Sequence, residues 1–263
     1  MKIDVHAHIG RLVNGEDMSL EKQLRGMDAY GVDYALISHI ECGERLLEDN
    51  PLADRQQMKN LAAIEAAAEH PRRLGVLLWC CPDDPGYSAD FERLYRDNRK
   101  LIKGLKVHPD MSRTDANDKR LWPYYEMAAR WRLPVLVHTR ENRHSKVSYV
   151  VEMARRFPEV PFILGHMSLS DDKEESLQAL ETDENMYGDT SWVYSAVLAE
   201  AEKRGVIHKI LFGTDSPIKG WDTYGDPEFY QAYDHLDEIL TQESCRRVFF
   251  QNAVQLFRLE GLG

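Results

Sequence analysis

Eight short runs of apolar and β-branched residues recur along the chain, and stretches with helical periodicity separate them. The runs are KIDVHAH from Lys2, VDYALISH from Val32, RLGVLLWC from Arg73, IKGLKVH from Ile102, PVLVHT from Pro134, PFILGH from Pro161, NMYGDTSW from Asn185 and VIHKILFGTDS from Val206. A helix between two strands crosses one sheet face and returns the second strand parallel to the first. Eight such units in 263 residues predict an α/β fold, a single (β/α)8 TIM barrel over 1–263, with a doubly wound open sheet as the alternative. The stretch from Glu243 to Leu259 adds further C-terminal helix.

The helical stretches carry their own punctuation. Asn50 before Pro51 reads as a cap and a first-turn proline for LADRQQMKNLAAIEAAAEH, and Pro123 similarly opens YYEMAARWR. SLEKQLRGMDAY, SADFERLYRDN, SKVSYVVEMARRF, DKEESLQALE, VYSAVLAEAEKR and PEFYQAYDHLDEIL complete the set. No linker, internal repeat or charge run marks a domain boundary.

Charge narrows the partners. With 44 acidic against 33 basic side chains the net charge is -11, which opposes the phosphate neutralisation that nucleic-acid binding needs. A small-molecule substrate fits better. No apolar run is long enough to span a membrane. MKIDVHAHIG has neither the apolar core nor the cleavage site of a signal peptide, so the expected location is cytoplasmic, and Cys42, Cys80, Cys81 and Cys245 are expected as reduced thiols.

In a barrel the chemistry gathers at the C-terminal strand ends. His6 and His8 lie two apart at the end of the first run, His138 ends the fifth, His166 follows the sixth and Asp215 ends the eighth. Imidazole and carboxylate are ligands for zinc or a similar divalent ion, and His6, His8, His138 and Asp215 can supply such a set. Taken singly, each histidine reads better as a satisfied core residue; their shared place at strand ends favours a metal. Lys106 and His108 on the fourth run are candidates for contact with substrate, and a carboxylated Lys106 would be a route to a second ion. Glu41 is either a support for a ligand histidine or a solvated loop acid.

These residues resemble the amidohydrolase superfamily. His6-Ala7-His8 is similar to its first-strand HxH, Pro134 to Thr139 to its fifth-strand histidine segment, Gly165-His166 to its sixth, and Gly213 to Pro217 to its eighth-strand aspartate. The branch that includes amino-carboxymuconate-semialdehyde decarboxylase is the most similar, through Gly104 to Pro109, Pro123 to Glu126 and Asn252 to Phe257. The resemblance implies one divalent metal, zinc first, on His6, His8, His138 and Asp215, with His166 as a catalytic histidine. Arg140 departs from the glycine common there. TatD-like deoxyribonucleases share an HTRE-like segment at His138 to Glu141, but their bridging fourth-strand glutamate has no counterpart between Lys103 and His108.

The function these features predict is a metal-dependent hydrolase that opens an ester, lactone or amide of a small organic acid. A divalent ion acidifies bound water, Asp215 takes its proton, and His166 stabilises the developing oxyanion. Non-hydrolytic decarboxylation of an aromatic or unsaturated carboxylate is the alternative; a nuclease and a non-catalytic metal-binding barrel follow. An anionic substrate is expected to meet Arg140 and Arg143 in the loop after His138, with Trp192 and Trp221 as aromatic walls. Whether the chain forms a homo-oligomer is open.

Overall fold

The computed structural model describes residues 1–12, 14–43, 52–83, 86–169, 172–259 and 261. Strand β1 (Ile3–Arg11) pairs antiparallel with the two-residue β2 (Asp17–Met18) and parallel with β3 (Tyr34–His39). The parallel sheet continues through β4 (Leu74–Cys80), β5 (Ile102–Val107), β6 (Val135–His138), β7 (Phe162–Gly165), β8 (Met186–Asp189) and β9 (Ile210–Leu211). It then curls back on β1. Val5 N–H donates to Phe212 O (2.9 Å), Asp215 N–H to His6 O (2.7 Å) and His8 N–H to Ser216 O (2.8 Å), with a parallel bridge between Ala7 and Ser216. Eight parallel strands therefore close into the expected barrel; β2 is an addition to it.

Helices cover the outside. α1 (Leu20–Tyr30) begins where the Ser19 hydroxyl accepts from Lys22 N–H, and it stops at Gly31, whose φ of 65° suits a residue without Cβ. Ser88 caps α3 (Ala89–Asp97), which buries Phe91, Leu94 and Tyr95. Between them lies α2 (Leu52–Glu69); the expected cap at Asn50 and Pro51 falls outside the described residues. A short α4 (Pro109–Ser112) follows β5, and Pro123 sits in the first turn of α5 (Trp122–Trp131) as anticipated. α6 (Val147–Arg156), α7 (Glu174–Thr182) and α8 (Ser195–Lys203) complete the ring.

One expected helix is different. The segment PEFYQAYDHLDEIL forms a 3-10 helix over Gln231–Glu238, broken at His235 (φ -117°). Tyr230 and Tyr233 hold it against the barrel through their hydroxyls, donating to Thr214 O and Val193 O, so tertiary anchoring overrides helical periodicity. The tail is helical as expected: α9 (Gln242–Arg246), a π-turn over Arg247–Gln251, and α10 (Asn252–Phe257).

Two of the three apolar clusters among the described residues build the barrel's layers. The larger lies between strands and helices; the smaller fills the barrel's lower half with Ile3, Val5, Leu36, Leu77, Leu136, Ile163 and Leu211, closed from below by Ala253, Phe257 and Leu259. No helix among the described residues is long and apolar enough to cross a membrane.

Candidate metal centre

A register shift in β1 between Asp4 and Ala7 lets Val5 face the lower core while His6 and His8 face the upper barrel. Irregularities of this kind re-aim side chains beside functional sites. Small residues make the room. A Cβ on Gly165 would meet Val137 O at 2.9 Å and His6 Cε1 at 3.4 Å, and one on Gly213 would meet His6 Cβ at 3.1 Å.

His6, His8 and Asp215 converge. Asp215 Oδ1 lies 2.9 Å from His8 Nε2 and 3.4 Å from His6 Nε2, and all three residues are buried. The far ring nitrogens are engaged: His6 Nδ1 by Asp189 Oδ2 at 2.7 Å and His8 Nδ1 by Ser38 Oγ at 2.9 Å. Lys106 Nζ, wholly buried, lies 2.6 Å from His6 Nε2. Two imidazole nitrogens and a carboxylate oxygen thus face one another, a group that could hold a metal ion. A divalent ion fits the donor chemistry.

The electrostatics agree. Burial pulls His8 down to about 4, only partly offset by its hydrogen bond to Asp215, so the ring is a neutral imidazole at neutral pH, the form that ligates metals. Burial alone would raise Asp215, but the hydrogen bond from His8 and the charges of His6 and His166 hold it well below the usual carboxylate range. Burial likewise lowers the Lys106 ammonium to about 8 against the pull of Asp215 and Asp189.

His138 and His166 are adjacent to this trio. His138 Nδ1 is 2.9 Å from His166 Nε2, its Nε2 is 3.5 Å from Asp110 Oδ2, and His108 stacks on its ring at 3.9 Å between centroids. Neither nitrogen of His138 is drawn into the His6, His8 and Asp215 group. His166 lies deeper, with Nδ1 2.8 Å from Ser191 Oγ and its backbone N–H donating to Asp189 Oδ1; a second possible ligand group is His6, His166 and Asp189. His166 faces His6 and His138 and is absent from the pocket wall.

Above the cluster opens a cavity of about 480 Å³, lined by His6, His8, Lys106, His108, His138 and Asp215 at its base and by Ile40, Leu169, Trp192, Ile218, Lys219 and Phe229 on its walls. Lys106, His108 and Trp192 thus reach the pocket as the sequence suggested. Arg140, Arg143 and Trp221 do not. The loop after β6 folds on itself: Arg140 N–H donates to Ser145 O, and Asn142 Oδ1 accepts from His144 and Ser145 N–H, which leaves both arginine side chains exposed outside the cavity. Trp221 stacks on Tyr30 at 6.4 Å with the Arg25 guanidinium 4.1 Å over its ring, on the outer side of α1. Glu41 pairs with Lys59.

Several contributors escaped the sequence reading. Asp189 at the end of β8 orients His6, and Ser191 links His6, His166 and Asp189. Asp4 gathers His6 N–H, Thr214 N–H and the hydroxyls of Thr214 and Tyr224, bracing both strands that bear the trio. Asp189 had a signal in its strand-end place; Asp4 and Lys219 had none.

Known structures share this architecture. A 2,6-dihydroxybenzoate decarboxylase from Rhizobium superposes with a TM-score of 0.73 at 17% identity, covering 99% of this chain and 99% of that one. A 5-carboxyvanillate decarboxylase from Novosphingobium aromaticivorans, complexed with manganese and 4-hydroxy-3-methoxy-5-nitrobenzoic acid, gives 0.75 at 13% identity over 98% and 96%. A 4-oxalomesaconate hydratase from Rhodopseudomonas palustris gives 0.70 at 16% identity over 98% and 96%. At these identities the likeness speaks for the fold. No curated protein sequence matches the chain. The family described as amidohydrolase matches residues 3–259, so the chain belongs to the amidohydrolase family.

Proposed function

We propose that this protein is a metal-dependent decarboxylase of a small aromatic acid. The observation that carries the reading is the pairing of a His and Asp cluster, fit for a divalent ion, with a cavity whose outer walls are Ile40, Leu169, Trp192, Ile218 and Phe229, interrupted by the cation Lys219. A flat apolar body matches those walls. Weakly solvating walls also raise the energy of a carboxylate relative to neutral CO2, which favours loss of the charged group.

His6, His8 and Asp215 would hold the ion, with His138 beside them as a fourth candidate; zinc is the first choice, and manganese accompanies one structural relative. When bound, a divalent ion supplies a Lewis acid that draws electron density from a substrate oxygen. The chain supplies the rest. Decarboxylation breaks the bond from carbon to carboxylate, leaves the electron pair on carbon and requires one proton there. Asp215 Oδ1, at the base of the cavity, is the atom through which that proton would pass. Asp189 keeps His6 Nδ1 protonated and its ring fixed. The buried Lys106 ammonium stabilises negative charge gathering near His6.

Hydrolysis is the second reading, and the same cluster favours it, since Asp215 could equally accept a proton from water. Decarboxylation takes precedence because the apolar residues of the outer wall, Ile40, Leu169, Trp192, Ile218 and Phe229, suit an aromatic body. The test is a panel of hydroxybenzoates and benzene dicarboxylates assayed for CO2 release with metal-loaded protein, beside a panel of aryl esters, lactones and amides. Release of CO2 from an acid supports the proposal; turnover confined to the second panel replaces it with hydrolysis.

A further inference from the structure

The pocket wall touches the cluster at one point that the reaction as described leaves unused. The Trp192 indole Nε1–H donates to Asp215 Oδ2 at 2.8 Å, while Oδ1 faces His8 and His6. The two carboxylate oxygens therefore have different partners. Trp192 is itself fixed: its backbone N–H donates to the Tyr230 hydroxyl at 3.0 Å, that hydroxyl donates to Thr214 O at 2.7 Å, and Phe229 meets the indole edge-on at 5.3 Å. Its φ is 57°, a conformation that costs a residue with Cβ about 1 kcal/mol or more and persists where contacts over-determine it.

Over the face of the same indole lies the Lys219 ammonium, 5.1 Å from the ring centre and 5.9 Å from that of Phe229. Asp226 Oδ2 takes one of its donors at 2.8 Å, and Asp226 Oδ1 is anchored by the N–H groups of Glu228 and Phe229. An ammonium has three donors, so Asp226 orients Lys219 and leaves others for a ligand. The side chain is 51% exposed and lines the cavity. Among the described lining residues the other ammonium, Lys106, is fully buried against His6, so an anion on the outer wall meets Lys219.

We propose that Trp192 is a positioning residue that presents Asp215 Oδ1 to the cluster, and that Lys219, over the same ring, recognises a second anionic group on the substrate. This rests on the aromatic-acid reading and narrows it to a ring that carries, besides the reacting carboxylate, an anionic substituent directed at the outer wall. One indole thus serves both the ligand carboxylate and the group that reads substrate charge.

The test uses binding alone. Manganese(II) affinity and the affinities of benzene-1,3-dicarboxylate and benzoate are measured by calorimetry on the full chain, metal-loaded for the acids. Trp192→Phe keeps the wall and removes the N–H; the manganese dissociation constant should rise about tenfold, with Trp192→His, which restores a ring N–H, recovering part of it. Lys219→Gln should leave manganese binding unchanged and abolish an approximately tenfold preference for the dicarboxylate over benzoate. A manganese affinity within twofold of the parent in Trp192→Phe, or a preserved preference in Lys219→Gln, overturns the proposal. Should Trp192→Phe fail to fold, Trp192→His decides that arm through the same affinity: parent-like or weakened by less than tenfold supports it, a full loss overturns it. Because no arm needs turnover, absence of CO2 release from every acid would count against the reaction while leaving this assignment standing.

Discussion

Leu136 and His138 face the same barrel axis two residues apart, one in the apolar floor and the other at the base of the pocket. The step recurs on neighbouring strands: Leu36 to Ser38, Ile163 to Gly165, Tyr187 to Asp189, Leu211 to Gly213. Below the step, inward positions are apolar, leucine, isoleucine and tyrosine. Above it they are polar, as at Ser38, His138 and Asp189, or glycine, as at Gly165 and Gly213. Stability and chemistry are thus stacked along one axis, and the same short strands serve both.

That comparison is sharpest where a substitution at one level leaves the other untouched. Asp215→Asn should lower turnover by about 10²–10⁴-fold, because an amide cannot pass the proton, with little change in melting temperature; rate and thermal denaturation of the same preparation check it. A collapse of the melt would show that the upper layer is structural too. Leu136→Ala opens a cavity in the floor and should cost about 2–5 kcal/mol in denaturant unfolding, while metal content per folded molecule stays constant. Metal loss in that variant would mean that the layers are coupled.

Asp189→Asn tests the support of the upper layer. It keeps the shape and removes the charge that fixes His6, so divalent-ion affinity should fall about 10–100-fold in competition with a chromophoric chelator. The smallest effect is expected at Arg140. Arg140→Ala should shift stability by less than about 0.5 kcal/mol and KM by less than twofold, since its side chain is exposed outside the cavity. A large rise in KM for acids alone would bring the loop after β6 back into the site.

Much of this was legible in the sequence because strand ends are. The alternation of runs and helices gave the barrel, and His6, His8 and Asp215 stood at run ends where a barrel collects them. Arg140 and Arg143 show the limit: proximity in sequence to His138 says nothing of where a loop turns, and hydrogen bonds to Asn142 and Ser145 set that. Trp221 was read as a wall from its polar neighbours, yet Tyr30 and Arg25 on α1 claimed it. Asp4 looked like an ordinary strand residue, since nothing local reveals that Thr214 and Tyr224 come to it. Lys219 drew its meaning from Phe229 and Asp226 in a segment whose irregular helix periodicity had disguised.

The closure of the sheet onto β1 carries a consequence for how the protein is made. His6 and His8 belong to the first strand, Asp215 follows the last, and the hydrogen bonds from Asp215 to His6 and from His8 to Ser216 are what bring them together. During synthesis the two histidines emerge about 200 residues ahead of their carboxylate. A fragment ending before β9 would carry only the two histidines of the proposed ligand set on an open sheet, so an ion held by all three residues would clasp the first strand to the last.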